Sequence, residues 1–242
     1  MSKTTAIVTG GSTGIGLAIC RRLLANGLQV INLSRRPAGL AAPGLISVSV
    51  DLMDPAATRE VANRIVREHQ VTTVVHNAGA IREKNLEAVE PDDLQALFNL
   101  HLAAPVALVK AALPAMRAAR HGRVVLVSTR AVLGLAKRTA YASTKAGMLG
   151  MARTWALELG PEGVTVNVVA PGPIAETEMF DGVVPAGDPR REQLARTIPV
   201  RRLGNPDDVA QAVEFFVRPE AAFITGQVLY VCGGTSVGSL TL

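Results

Sequence analysis

The strongest constraint on this 242-residue chain is a regular alternation between short β-branched runs and longer segments with helical spacing. Seven runs predict strands, at 6–9, 29–33, 45–50, 71–75, 124–127, 164–169 and 227–231. Helical spacing lies between them, at 14–26, 55–69, 91–120, 140–159 and 206–217. Strands that alternate with helices form right-handed βαβ units and therefore a parallel sheet. The predicted fold class is α/β, a doubly wound parallel seven-stranded sheet with helices on both faces.

Composition and length favour a single domain, residues 1–242, with an aliphatic core. Hydrophobic residues make up 48% of the chain and aromatic residues only 3%, so Val, Ile, Leu and Ala must fill that core. We expect the long helix at 91–120 to bend at Pro105 or Pro114. Residues 173–203 are irregular and rich in Pro and Gly, which predicts a partly helical substrate lid, with a plain helix pair as the alternative.

Several function classes lack their sequence signatures. No apolar run reaches the roughly 18 residues that span a bilayer, and the first residues do not have the pattern of a signal peptide. Cys20 and Cys232 form no CxxC pair, which indicates buried thiols in a reducing, cytoplasmic setting. The four histidines show no metal-ligand spacing. The net charge of +5 comes from scattered basic residues with few aromatics, which indicates a solvated surface or affinity for phosphorylated ligands rather than nucleic-acid binding.

A glycine-rich turn, TGGSTGIG at 9–16, follows the first predicted strand and opens the first helix. Gly10 allows a sharp turn, while Gly14 and Gly16 let the backbone approach a ligand and the sheet closely. Free N–H groups at the helix start, together with the hydroxyls of Ser12 and Thr13, suit a pyrophosphate. The turn therefore predicts a Rossmann-type dinucleotide site, with a purely structural turn as the alternative.

The end of the second predicted strand indicates which cofactor this site takes. An NAD site usually places an acidic residue there to bind the ribose 2′-hydroxyl. Here the sequence is Leu33-Ser34-Arg35-Arg36, without a carboxylate. A guanidinium can bind the 2′-phosphate of NADP through paired hydrogen bonds. Ser34 and Arg35 therefore predict NADP(H) in preference to NAD(H).

Tyr141 and Lys145 are four residues apart near the start of a predicted helix, so their side chains lie on one face. A nearby ammonium, together with the positive nicotinamide of an oxidised cofactor, favours the phenolate and lowers the tyrosine pKa. A lowering of about three units needs roughly 4 kcal/mol. Such a pair can serve proton transfer, although the same spacing is common on ordinary helix surfaces.

The whole chain resembles the single-domain short-chain dehydrogenases/reductases and is similar to their 3-oxoacyl-carrier-protein reductase branch. The matching segments follow the order of the family along nearly the full length. They are TGGSTGIG, Asp51-Leu52, HNAG at 76–79, NL at 99–100, VST at 127–129, YASTK at 141–145, VNVVAPGPI at 166–174, RLGNPDDVA at 202–210 and FITGQVLYVCGG at 223–234.

The resemblance implies a role for each matching position. Tyr141 is the proton donor in reduction, Lys145 lowers its pKa and binds the nicotinamide ribose, and Asn99 holds a water that links Lys145 to a proton relay. The implied catalytic residues are Asn99, Ser128 or Thr129, Tyr141 and Lys145. The implied cofactor contacts are Gly10, Ser12, Thr13, Gly14, Ile15, Gly16, Ser34, Arg35, Asp51, Leu52, Asn77, Ala78, Gly79, Tyr141, Lys145, Pro171, Gly172 and Ile174.

Some positions depart from the family pattern. Counting back thirteen residues from Tyr141 gives Ser128 as the catalytic hydroxyl, whereas the register of the fifth strand gives Thr129, which we favour. His76 stands where the family usually has Asn, and we assign it no chemistry. Cys232 replaces a frequent Asp. One extra residue before Thr177 leaves a phosphate contact by that hydroxyl open.

The expected reaction is hydride transfer from NADPH to a ketone or a 3-oxoacyl group, with Tyr141 supplying the proton. One alternative is an NAD-dependent alcohol or dihydrodiol dehydrogenase that works oxidatively, and another is a non-catalytic NADP-binding protein. The expected partner is a small carbonyl or alcohol substrate, free or linked to CoA or a carrier protein. Arg117, Arg120 and Arg123 could meet an acidic carrier. The resemblance implies a homotetramer or homodimer, without nucleic acid, membrane or metal.

Overall fold

The computed structural model describes residues 4–237 and shows one sheet of seven parallel strands. The strand order is β3-β2-β1-β4-β5-β6-β7, which confirms the predicted doubly wound α/β architecture. Along the chain, β2 and β3 are added on one side of β1, and β4 to β7 are added on the other side. The strand order therefore reverses between β1 and β4. The strands are β1 (Thr5–Thr9), β2 (Gln29–Ser34), β3 (Leu45–Ser49), β4 (Val71–His76), β5 (Gly122–Val127), β6 (Val164–Pro171) and β7 (Val228–Val231).

Helices cover both faces of the sheet because successive strand residues point to opposite sides. In β1, Ile7 packs into a core with helices α2, α4 and α5, whereas Ala6 and Val8 pack into a second core with α1 and α8. The helices are α1 (Gly14–Ala25), α2 (Pro55–Glu68), α3 (Pro91–Phe98), α4 (Ala104–Ala119), α5 (Thr139–Leu159), α6 (Glu178–Asp181), α7 (Arg190–Thr197) and α8 (Pro206–Val217).

A π-helical turn at Asn99–Ala103 joins α3 to α4 within the segment predicted as one long helix. The Ala104 N–H donates to the carbonyl of Asn99, five residues back, and Pro105 has no N–H to donate. The irregularity therefore lies just before Pro105. Among residues 4–237, this segment, Pro91–Ala119, is the one helix long and apolar enough to cross a membrane by length and composition. Its buried residues, including Leu108 and Met116, pack into the core on the sheet.

The carboxyl ends of the parallel strands meet at one edge of the sheet, where ligands of open α/β sheets bind. The segment 173–203 follows β6 at this edge and contains the two short helices α6 and α7. It is thus partly helical.

Candidate active site

A cavity of about 610 Å³ opens at the carboxyl ends of β1, β2, β4, β5 and β6. It brings together every sequence-predicted site residue except Asn99. Side chains from α5 and from the segment 173–203 complete its walls. The cavity extends from the glycine turn after β1 to Tyr141 on α5.

The glycine turn between β1 and α1 leaves open the space that a phosphate would occupy. Gly10 and Gly14 have positive φ angles of 68° and 51°, which favour glycine. A Cβ on Gly16 would lie 2.0 Å from the carbonyl oxygen of Gly10, so only glycine fits there. Thr13 precedes α1 and its side chain accepts no capping hydrogen bond. The first N–H groups of α1 therefore stay available to an anion.

At the end of β2, the structure contains basic side chains and no carboxylate from the strand itself. Ser34 is buried and its hydroxyl donates to Asn32 Oδ1 at 2.6 Å. Arg36 pairs with Glu178 of α6 at 2.8 Å, whereas Arg35 has no carboxylate within ion-pair distance in the part of the chain that the structure describes. The Arg35 guanidinium is thus the exposed basic group without an acidic partner beside the adenosine end of the cavity.

Tyr141 and Lys145 lie on the face of α5 that lines the cavity, and both side chains are almost fully buried. The Lys145 Nζ donates to the carbonyl oxygen of Val127, at the end of β5, at 2.7 Å. The Thr129 side chain lies close enough to the Tyr141 phenol to lower the pKa of the tyrosine. The helix and the strand end thus place a phenol, an ammonium and a hydroxyl at one point of the cavity.

Burial controls the pKa of both α5 residues. It raises the pKa of Tyr141 to about 12, and the Thr129 side chain and the charge of Arg138 act in the opposite direction. It lowers the pKa of Lys145 to about 7, because no carboxylate compensates the buried ammonium. Among the protein groups of this site, desolvation outweighs the nearby charges, whereas the sequence-based expectation of a lowered tyrosine pKa also counted the charge of an oxidised nicotinamide.

The two candidate hydroxyls point in different directions. The Ser128 hydroxyl donates to the backbone carbonyl of Lys145 at 2.9 Å and ties β5 to α5. The Thr129 hydroxyl accepts from the Ala131 N–H at 3.1 Å and acts to lower the pKa of Tyr141. The structure thus places Thr129, as the strand register indicated, beside the phenol.

Asn99 is the predicted residue that the structure does not bring to the cavity. Its side chain donates to the carbonyl of Met53 at 3.2 Å and accepts from Gln95 at 2.8 Å. His101, two residues further along the same π-turn, is fully buried, and its ring packs edge-on against Tyr141 with a centroid distance of 5.7 Å. Sequence reasoning missed His101, although a histidine inside an apolar helical segment was a usable signal.

The cavity lining also contains apolar side chains and two further basic side chains, Arg130 and Arg138. Leu135, Val183 and Leu194 line its walls. Arg130 donates to the Thr235 carbonyl at 3.2 Å, and Arg138 pairs with Glu83 at 2.8 Å. The acidic residues among the cavity lining are Asp51, after β3, and Glu178, which pairs with Arg36. Of the two guanidinium groups, Arg138 is ion-paired, and Arg130 has no carboxylate within ion-pair distance in residues 4–237.

The remaining predicted positions have structural partners. The Thr177 side chain caps α6 by accepting from Phe180 and donates to Ile174, so it lies beside Gly14 with its hydroxyl already engaged. Cys232 is buried, with its Sγ 3.1 Å from Ser236 Oγ. Arg123 is also buried and donates to backbone carbonyls, so it cannot form part of a carrier-binding surface. Residues 4–237 contain no cluster of metal-ligating side chains.

Known proteins match almost the entire chain. A family model described as Enoyl-(Acyl carrier protein) reductase matches residues 10–236. The 3-oxoacyl-[acyl-carrier-protein] reductase FabG of Escherichia coli (strain K12) is 36% identical over 238 residues, covering 95% of this chain and 96% of that protein. The (2S)-[(R)-hydroxy(phenyl)methyl]succinyl-CoA dehydrogenase subunit BbsC of Thauera aromatica is 36% identical over 242 residues, covering 96% and 94%. A solved structure of ElxO with NADP bound has a TM-score of 0.87 at 28% identity, covering 97% and 98%.

Proposed function

The chain belongs to the short-chain dehydrogenase/reductase family, and on this basis we propose that it is an NADP(H)-dependent reductase of a ketone or a 3-oxoacyl thioester. The observation that carries the proposal is the meeting of Tyr141, Lys145 and Thr129 at one end of a cavity whose other end is the glycine turn. A purely NADP-binding protein would need the turn without this trio, so a non-catalytic role fits the site less well.

NADPH supplies the hydride when it is bound, and the side chains of this chain handle the proton. Burial keeps the Tyr141 phenol protonated at neutral pH, which suits a group that must donate a proton to the developing alkoxide. The Thr129 hydroxyl, next to the phenol, binds the substrate carbonyl oxygen and orients it for proton transfer. Lys145 carries a positive charge below about pH 7 and stabilises the phenolate that the donated proton leaves behind.

The preference for NADP(H) rests on the end of β2. An acidic residue at this strand end would repel a 2′-phosphate, and the sequence from Leu33 to Arg36 has none. Arg35 is exposed there, without a carboxylate partner within residues 4–237, and can contact the 2′-phosphate through charge-assisted hydrogen bonds. The NADP-bound structure of ElxO, similar over nearly its full length, supports the same choice.

Two observations support a thioester-linked substrate. The relatives from Escherichia coli and Thauera aromatica are named for substrates carried by acyl carrier protein and by CoA. In this chain, Arg130 lines the cavity without a carboxylate partner in the described residues, so it can contact an anionic group of such a substrate, and the segment 173–203 supplies apolar walls. We propose that this segment acts as the substrate lid and that the enzyme works in the cytoplasm as a homotetramer or homodimer.

The oxidative direction is the second candidate, because the Thauera aromatica relative is named as a dehydrogenase. In that reading the enzyme oxidises a hydroxyacyl thioester, and Tyr141 must act as a base. The reductive reading remains the first candidate because the Escherichia coli relative is named as a reductase.

A substrate panel tests both readings with one preparation. The purified protein is assayed with simple ketones, 3-oxoacyl-CoA and carrier-linked 3-oxoacyl thioesters, and with the matching hydroxy compounds, each with NADP(H) and NAD(H). We expect the highest kcat/KM for a 3-oxoacyl thioester with NADPH. Turnover restricted to hydroxy compounds with NAD would establish the second candidate, and no turnover of any substrate would refute the enzyme assignment.

A further inference from the structure

His101 is a fully buried titratable side chain that packs against Tyr141, and the proposed mechanism does not use it. Its Nδ1 lies 2.9 Å from the hydroxyl of Thr144, the residue before Lys145 on α5. Its Nε2 lies 3.4 Å from the backbone nitrogen of Ala80, in the loop after β4. Its ring stands at 77° to the ring of Tyr141. One side chain thus contacts the tyrosine, the helix that bears it and the loop that borders the cofactor site.

The hydrogen bonds define the protonation state of His101. The Thr144 hydroxyl donates to the carbonyl oxygens of Ala140 and Tyr141, so its lone pair must accept from the histidine. The hydrogen therefore sits on Nδ1, and Nε2 accepts from the Ala80 N–H. The imidazole is neutral, because a second proton on Nε2 would face that N–H group.

His101 and Lys145 both lie next to Gly79, so their side chains are close to each other. A Cβ built on Gly79 would lie 3.4 Å from His101 Nε2 and 3.5 Å from Lys145 Nζ. Burial, and to a smaller extent the charge of Lys145, hold the pKa of His101 well below its usual range. The neutral ring excludes water from this side of the ammonium without adding charge.

The backbone around His101 separates it from Asn99. In the π-turn, Asn99 bonds to the Met53 carbonyl and to the Gln95 side chain, whereas His101 is fully buried and packs against Tyr141. Because Pro105 has no N–H, the His101 carbonyl also lacks its ordinary helical donor. Leu100 is the residue of this turn that lines the cavity, and His101 is the one whose ring packs against Tyr141.

We propose that His101, and not Asn99, is the side chain of the π-turn that serves the reaction, as a neutral positioning residue that holds Tyr141, Lys145 and the Gly79–Ala80 backbone together. The proposal rests on the proposed reductase function. The other ionisable groups near the ring are Lys145 and Tyr141 on α5 and His76 at the end of β4, and the imidazole of His76 is also neutral, since burial lowers its pKa to about 3.

Two variants of the same turn test the assignment. His101→Asn keeps an N–H for Thr144 but removes the ring and the Ala80 contact. Asn99→Ala removes only the hydrogen bonds to Met53 and Gln95. We expect His101→Asn to lower kcat about 10- to 100-fold with KM for NADPH changed less than about threefold. Asn99→Ala should retain kcat within about threefold. The reverse pattern, loss with Asn99→Ala and retention with His101→Asn, would overturn the proposal.

The pH profile separates positioning from a general structural defect. In the wild type, kcat/KM for NADPH should fall above about pH 7, where the free enzyme loses the charge of Lys145. The smaller side chain of His101→Asn should admit water that hydrates the ammonium and raises its pKa. The pH at which kcat/KM falls should therefore rise by about one unit or more. A lower kcat with this pH unchanged would contradict the proposal. Thr144→Val, which keeps the volume and removes only the hydroxyl, should shift this pH in the same direction if His101→Asn fails to fold.

A spectroscopic readout does not need turnover. The chain has two tyrosines, so Tyr230→Phe leaves Tyr141 as the only source of tyrosinate absorbance. With a Tyr141 pKa of about 12, roughly a tenth of the phenol should be ionised at pH 11. Adding His101→Asn should raise that fraction at least threefold, and an unchanged fraction would refute the positioning role. If the wild type reduces nothing in the panel while this fraction rises, the proposed function fails and the positioning of Tyr141 by His101 stands.

Discussion

Two regions of the molecule bury charged groups in opposite ways. Between α1 and α8, Glu214 is only 7% exposed and accepts hydrogen bonds from Arg22, Arg218 and Asn26, at 2.7, 2.7 and 3.1 Å. At the cavity, Lys145 is 2% exposed and donates to the backbone carbonyl of Val127, with no carboxylate within ion-pair distance in residues 4–237. The first region pairs its buried charge completely, and the second leaves its charge without a counterion.

The difference shows how one fold separates stability from chemistry. The arginines around Glu214 lower its pKa to about 2, so the carboxylate stays charged and joins α1 to α8. Burial lowers the pKa of Lys145 to about 7, so its charge is gained and lost near neutral pH. Complete pairing stabilises the packing of two helices, whereas incomplete pairing destabilises the charged form but places a titratable group where a proton must move.

The largest effect is expected from removing the phenol at the unpaired end. Tyr141→Phe should lower kcat about 10²- to 10⁴-fold, because the buried proton donor is lost while the aliphatic surroundings and the contact with His101 remain. NADPH affinity, measured by fluorescence titration, should change little. Tyr230→Phe is the matched control and should retain full turnover. Wild-type kcat in Tyr141→Phe would show that the proton comes from elsewhere.

Replacing Lys145 should separate activity from stability. Lys145→Met should abolish most turnover and raise the free energy of unfolding at pH 6, by an amount of the order of 4 kcal/mol at most. The lysine pKa is depressed from 10.5 to about 7 in the folded protein, so the folded state loses stability as pH falls through this window. The difference between variant and wild type should therefore shrink toward pH 10. Urea denaturation at both pH values measures it, and a destabilised variant at pH 6 would contradict the unpaired charge.

The paired region should respond in the opposite direction. Glu214→Gln removes the charge that Arg22 and Arg218 surround, and should destabilise the protein by about 2–3 kcal/mol at pH 7 without changing kcat. The stabilisation by Glu214 is present above its unfolded pKa of 4.5 and is lost as pH falls toward 2, so the two proteins should converge in that range. An equal difference at pH 7 and pH 3 would mean that packing, and not charge, is responsible.

The sequence predicted the sheet and most of the candidate site because both depend on local patterns. Apolar runs and glycine positions located the strands and the turn at 9–16, and strand register favoured Thr129 over Ser128. The side chains of Asn99 and His101 could not be told apart in this way, since their directions depend on a π-turn that shifts the helical phase before Pro105. Likewise, the high pKa of Tyr141 and the buried position of Arg123 depend on how deeply the finished fold encloses them.

Neighbouring arginines after β2 repeat the contrast between paired and unpaired charge on a smaller scale. Arg36 already pairs with Glu178, whereas Arg35 has no such partner within residues 4–237. Arg35→Ala should therefore raise KM for NADPH about tenfold, the loss of one charge-assisted contact, and leave KM for NADH unchanged. Arg36→Ala, the matched control, should have a smaller effect on KM for NADPH, because its guanidinium is already neutralised by Glu178. Steady-state kinetics with both cofactors measure the four values. An equal rise in KM for NADPH and NADH in Arg35→Ala would show that this guanidinium does not bind the 2′-phosphate. A larger rise in KM for NADPH in Arg36→Ala would show that Arg36 binds it instead.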